Sequence, residues 1–217
     1  MGILSSLYRS SVGKKILMAT TGMLLCVYLV VHLAGNLLLF RNDNGEAFNT
    51  YAAVLPSLIV IRIIEILLFG IFAGHIVLGT IFWMTNRATR PRKYEVNKPS
   101  ENSSFFSRTM FLTGSIVFIF LVVHMAQFWG PSRFASGEVS MYGLVKNAFI
   151  NPVYALFYVV AMGLLAFHLR HGFESALQTF GISNRKYELL IKILGACFWL
   201  LIPIGFAAMP IFFLLNS

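Results

Sequence analysis

Charge is scarce in this chain, and acid is scarcer still. Of 217 residues only 12% are charged, with eight Asp or Glu against seventeen Lys or Arg. A soluble domain carries about a quarter charged residues, so a water-facing surface cannot be assembled from this composition. Cysteine is nearly absent: Cys26 and Cys197 both fall inside apolar runs, which excludes a disulfide framework and makes both small apolar space-fillers. Strict polar–apolar alternation is missing too, which argues against a membrane β-barrel. No hydrophilic stretch is long enough for a separate soluble domain, the longest link being about 23 residues, Asn86–Arg108.

Apolar residues make up 58% of the chain, and they come in long runs. A helix needs about 20 such residues to cross a hydrocarbon core roughly 30 Å thick. The expected fold is therefore all-α, a single integral membrane bundle over residues 1–217. Its five spans are expected at about 16–40, 57–85, 109–130, 152–178 and 189–215. Pro203 and Pro210 are expected to kink or end the last helix, which membrane helices tolerate when neighbours satisfy the freed carbonyls. The opening MGILSSLYRSSVGKK precedes an apolar run too long for a signal peptide and without a small-residue cleavage site. It reads as a short interfacial helix. The loose myristoylation pattern at Met1-Gly2 is made redundant by the adjoining span.

The basic residues set the orientation. Thirteen of seventeen lie at the N-terminus (Arg9, Lys14, Lys15), in the second link (Arg87, Arg90, Arg92, Lys93, Lys98, Arg108) or after the fourth span (Arg170, Arg185, Lys186, Lys192). Arg41, Arg62, Arg133 and Lys146 fall on the other side. By the positive-inside rule the N-terminus is cytoplasmic and the C-terminus outside. The net charge of +9 is thus topological, with anionic lipid or an acidic partner at the inner face, and is not the mark of a nucleic-acid binder.

Against this background the histidines stand out. LVVHLAGN at 29–36 returns as LVVHMAQF at 121–128, and beyond that recurrence no internal repeat is read. Each of the first four spans carries one intramembrane histidine: His32, His75, His124 and His168. Ionisable residues at such positions are costly and are read as functional by default. With a rise of about 1.5 Å per residue, His32 and His124 each lie roughly 24 Å from the inner side, while His75 and His168 lie roughly 24–27 Å from the outer side. They sort into an outer pair, His32 with His124, and an inner pair, His75 with His168. A cross-level pair would be separated by roughly 20 Å of depth.

Two imidazoles at one depth suit a central metal with opposed axial ligands at about 2 Å each. Zinc or copper would need three or four ligands at that level, and no Cys, Asp or Glu is placed to complete the set. Haem needs only two, because the porphyrin supplies the other four nitrogens. There is no C-x-x-C-H, so covalent attachment is not indicated. The expectation is a bundle enclosing two bis-histidine b haems. Gly79 and Gly172, four residues beyond His75 and His168, leave room for a macrocycle, as do Gly35, Gly70, Gly74 and Gly163; ordinary small-residue helix packing uses glycine in the same way. His171, beside Arg170 at the inner edge, is placed to meet a haem propionate or a lipid headgroup, or to serve as the fourth ligand in place of His168.

The stretches VVHLAGNLLLF, RIIEILLFGIFAGHIVLG, LVVHMAQFWG and AFHLRHGFESALQTFG, in this order and over five spans, resemble the dihaem cytochrome b membrane-anchor subunit of succinate dehydrogenases and fumarate reductases, in its single-chain, five-helix form. The resemblance covers nearly the whole chain. It implies a distal haem on His32 and His124, a proximal one on His75 and His168, and a bacterial cytoplasmic membrane. It also implies a flavoprotein and an iron–sulfur subunit on the cytoplasmic face, with electrons relayed to or from a quinone, usually menaquinone, near the distal haem. Dicarboxylate chemistry would belong to the flavoprotein, not to this chain. Relatives with an acidic residue two before the fourth-span histidine use it for proton transfer; here that position is Ala166.

A quinone site needs a polar group near the outer face. Glu65 is the candidate proton donor or acceptor, and Arg62, three residues away on one face, is placed to pair with a propionate or merely to neutralise Glu65. Gln127, Trp129 and Asn36 are the other candidate pocket residues, and Glu46 in the first outer link is a further proton-handling candidate. Two other readings stay open. One is a different quinone-linked dihaem cytochrome b, of the hydrogenase type. The other is a proton-coupled transporter with histidine relays, which more often shows paired repeats or broken helices at mid-membrane.

Overall fold

The computed structural model describes residues 10–88, 105–137, 139–182 and 187–216. The expected interfacial helix begins in residues 1–9, and Arg90, Arg92, Lys93, Lys98, Arg185 and Lys186 of the inner links likewise lie outside the described residues. Ser10 opens the first helix, its hydroxyl accepting from the Gly13 amide at 2.9 Å. This helix, α1, runs Ser11–Asn36 and continues through a 3-10 turn, Leu37–Phe40. Helices α2 (Glu46–Ser57) and α3 (Ile59–Ala88) follow, separated by an extended Leu58. Helix α4 spans Phe105–His124 and passes through a π-helical segment, Met125–Trp129, into the short α5, Gly130–Phe134. Helix α6 is Met141–Ile150, α7 Pro152–Thr179 and α8 Glu188–Leu215. Asn151 starts α7 by accepting from the Val153 and Tyr154 amides, with Pro152 pre-set in the first turn.

The described residues form helices, turns and bends without a strand, and five helices are long and apolar enough to cross a membrane. The chain is an all-helical membrane protein. Pro203 and Pro210 do not end α8: both lie inside it and are buried among its neighbours. Helices α2 and α6 stand where the sequence reading had only links. Their inward residues Phe48, Val145, Ala148 and Phe149 join Leu39, Phe128, Tyr158, Met209 and Phe213 in an aromatic-rich core at one end of the bundle.

Four of the spans enclose an axis. Helix α1 packs on α3 and α7, α4 packs on α7 and touches α3, and α8 lies outside against α7. The two diagonal combinations, α1 with α4 and α3 with α7, scarcely approach through their backbones. A bundle places ligand-bearing side chains across such a core, and here the diagonals are the helices that carry the paired histidines.

Candidate functional site: two histidine pairs on the bundle diagonals

Across one diagonal the rings of His32 and His124 lie 5.9 Å apart, centre to centre, with their planes at 88°. Across the other the rings of His75 and His168 are 6.4 Å apart at 73°. Two axial metal–nitrogen bonds of about 2 Å plus the ring half-widths require a separation of about 6 Å. Both pairs meet that requirement. It is His168, not His171, whose ring pairs with His75; His171 is half-buried one turn further toward the inner end.

The surroundings of the two levels differ. The outer pair is walled by rings: Tyr28 stacks on His32 at 5.2 Å, Phe206 lies 5.5 Å from it, and Phe120 and Phe128 lie 5.7 and 5.3 Å from His124. Nδ1 of His124 is 3.1 Å from the hydroxyl of Tyr158, which is 5% exposed and accepts from the Tyr154 hydroxyl at 3.3 Å. Asn36 donates to the His32 carbonyl at 2.7 Å, and its amide is 3.5 Å from His32 Nδ1, too far for a working bond. At the inner level His75 Nδ1 is 3.2 Å from the Thr21 hydroxyl, whereas His168 Nδ1 is buried with no partner among the described residues. Hydrogen bonds at the second ring nitrogen are how proteins fix the tautomer of a ligating histidine.

The glycines that touch the imidazoles are not the expected ones. A methyl at Gly22 would come within 3.3 Å of His75 Cε1, and one at Gly114 within 3.1 Å of His168 Cε1. Gly79 and Gly172 instead face Met18 and Met110, and Gly35 is filled by the Tyr51 phenol. Substituents at Gly70, Gly74 and Gly163 would meet nothing within 4 Å.

Glu65 lies in the N-terminal part of α3, but its chief partner is Arg133. The guanidinium reaches both carboxylate oxygens, with Nη2 2.9 Å from Oε1 and 3.0 Å from Oε2. The Trp129 indole donates to the same carboxylate, while Arg62 stands off at 3.5 Å. In the sequence Arg133 shows only as a basic residue in a link between spans. The π-segment brings it round: Pro131 has no N–H for the helix and would clash with the Gln127 carbonyl, and the Gly130 amide reaches back to Met125 instead. Gln127 lies half-buried within this segment. A cleft of about 360 Å³, lined among others by Asn49, Ser57, Arg62, Ser132 and Arg133, opens beside it. Glu46 lines a separate cleft of about 620 Å³ with Arg41 and Asp43. Arg170 lies over the Trp199 ring at 5.1 Å and 3.9 Å from Glu174.

Among the described residues no three His, Cys, Asp or Glu converge as a metal cluster. A donor set of two histidines per level fits a group that brings its own equatorial nitrogens. No family model, curated protein or solved structure matches the chain.

Proposed function

We propose that this chain is the membrane-anchor and electron-transfer subunit of a succinate:quinone oxidoreductase or quinol:fumarate reductase, holding two b haems between its histidine pairs. The observation that carries this reading is the meeting of His32 with His124 and of His75 with His168 at about the separation two axial ligands need, across diagonals whose backbones stay apart. Haem bound in this way supplies reversible one-electron transfer at a potential set by axial ligands, burial and hydrogen bonding. The chain's own work is to hold two imidazoles per level, one of each pair with a hydrogen-bonded Nδ1 (His124 by Tyr158, His75 by Thr21), to exclude water with the aromatic wall, and to separate the levels along the membrane normal. His171 and Arg170, at the inner end, are assigned to propionates.

For the quinone, menaquinone by the resemblance, the supporting feature is the outer polar group of Glu65, Arg133, Trp129 and Arg62 beside the smaller cleft. Glu65 is assigned the proton and Arg62 the electrostatic support, with Gln127 and Asn36 at the margin. A flavoprotein and an iron–sulfur protein would dock on the basic cytoplasmic face of a bacterial inner membrane.

A pyridine haemochrome assay on the purified protein tests the reading, with two b haems per chain expected. A haem-free protein overturns it. His32→Ala or His124→Ala should remove one haem and leave the spectrum of the other unchanged. Co-purification with a flavoprotein separates this anchor from a hydrogenase-type cytochrome.

A further inference from the structure

The recurrence around the outer histidines is longer than LVVH. Superposing His32 on His124 also brings Met18, Thr21 and Gly22 onto Met110, Thr113 and Gly114. The contacts recur with the letters. The Met18 methyl lies 3.5 Å from a Cβ position at Gly79, and the Met110 methyl 3.6 Å from one at Gly172; each glycine is four residues past its inner histidine. A Cβ at Gly22 would sit 3.3 and 3.8 Å from Cε1 and Nδ1 of His75, and one at Gly114 would sit 3.1 and 3.5 Å from the same atoms of His168. Each threonine hydroxyl donates to its own helix: Thr21 to Leu17 and Met18 at 2.9 and 3.0 Å, Thr113 to Met110 at 3.1 Å. The first half of the bundle, α1 with α3, thus repeats in the second, α4 with α7.

One correspondence is incomplete. Thr21 Oγ1 lies 3.2 Å from His75 Nδ1, but the matching nitrogen of His168 is the one buried side-chain polar atom without a partner among the described residues. The residue before Gly114, whose Cβ position is 3.5 Å from that nitrogen, is Thr113, a polar residue only 6% exposed that makes no bond to it in this structure. A hydroxyl has one hydrogen to give. Thr21 gives it to the helix, so in the contact with His75 the imidazole donates from Nδ1 and the hydroxyl accepts. The lone pair is then on Nε2, the form a metal ligand needs.

We infer that Thr113 accepts the Nδ1 hydrogen of His168 as Thr21 accepts that of His75, so that the Thr-Gly pairs 21–22 and 113–114 are matched positioning elements for the two inner histidines. The glycine lets the ring lie against the neighbouring helix, and the threonine fixes its tautomer. The outer histidines are served differently, His124 by Tyr158 of α7. This inference rests on the reading of the histidines as haem ligands. An acceptor at Nδ1–H makes imidazole a stronger donor and favours ferric iron, so loss of the hydroxyl raises the potential of the inner haem.

The test uses the protein purified in detergent with its native partners, in Thr21→Val, Thr113→Val and the corresponding serine variants. Haem content is read by pyridine haemochrome and both midpoint potentials by optical redox titration. Both valine variants should keep two haems and shift one midpoint upward, the same one in each and the one missing from His168→Ala. Serine should restore it, and the other midpoint should stay in place. An unmoved midpoint in Thr113→Val, a shift of the other haem, or a shift that serine does not reverse overturns the inference. Where valine costs the inner haem altogether, its retention in the serine variant supports the inference and its loss there overturns it. A wild-type protein without haem overturns the underlying reading; two haems with unmoved midpoints overturn only the threonine assignment.

Discussion

Glu65 is a carboxylate inside a membrane span with its side chain 19% exposed, and Arg133, 14% exposed, covers both of its oxygens. Removing one partner of such a pair leaves a charge stranded in poor solvent. Arg133→Leu should therefore cost about 3 kcal/mol, measured by thermal unfolding in detergent. Arg62→Leu should cost under about 1 kcal/mol, because Arg62 is 47% exposed and 3.5 Å away. Glu65→Gln should recover most of the loss in the Arg133→Leu background, and equal losses from the two arginine variants would contradict this ranking. Sequence periodicity pointed to Arg62 because it is three residues from Glu65 on one helix. Arg133 was invisible to that reasoning, since its partnership crosses helices. Thr21 and Tyr158 were missed for a related reason: a hydroxyl in an apolar run reads as filler, and nothing in its spacing marks the imidazole it meets on another helix.

At the level of elements the five spans were legible because long apolar runs have one solution in a bilayer. Helices α2 and α6 were not, being short and of mixed composition. The start of α2 is signalled only by Gly45 at φ +84° and by the Asp43 carboxylate accepting from the Gly45 and Ala47 amides, features that read equally as a loop. The π-segment was also illegible. At about 100° per residue a regular helix puts Arg133, nine residues past His124, on roughly the opposite face. One extra residue in the turn brings it back by about 100°, toward the bundle interior. The diagonals carry their own prediction. Their imidazole planes cross at 88° and 73°, so electron paramagnetic resonance of the oxidised haem-loaded protein should show strongly anisotropic low-spin ferric signals. Rhombic signals from coplanar axial rings would contradict the geometry.

For the molecule as a whole, the basic residues sort by helix end. Arg41, Arg62, Arg133 and Lys146 lie with α2, α5 and α6, while Arg87, Arg108 and Arg170 lie at the opposite ends of the spans. In a chain with Cys26 and Cys197 changed to serine, Ser140→Cys should react with a membrane-impermeant maleimide on intact cells, and Arg87→Cys only after lysis. The reverse pattern would invert the topology. The recurrence was the least legible global feature. Met, Thr, Gly and His recur at matching positions, whereas the apolar residues between them mostly differ and hide the match.

Helix α3 has a single well-covered residue, Leu78, and rests mainly on α1, while its histidine reaches a ring on the far side of the axis. Each pair of imidazoles joins one half to the other, so the haem proposed there would act as a rivet, and two rivets at different heights would stop the halves from sliding or rolling. On the proposed reading, a nascent chain deprived of porphyrin would lack both fastenings, and its loosely docked second span would be free to wander in the lipid, so that cofactor supply would decide whether the polypeptide persists.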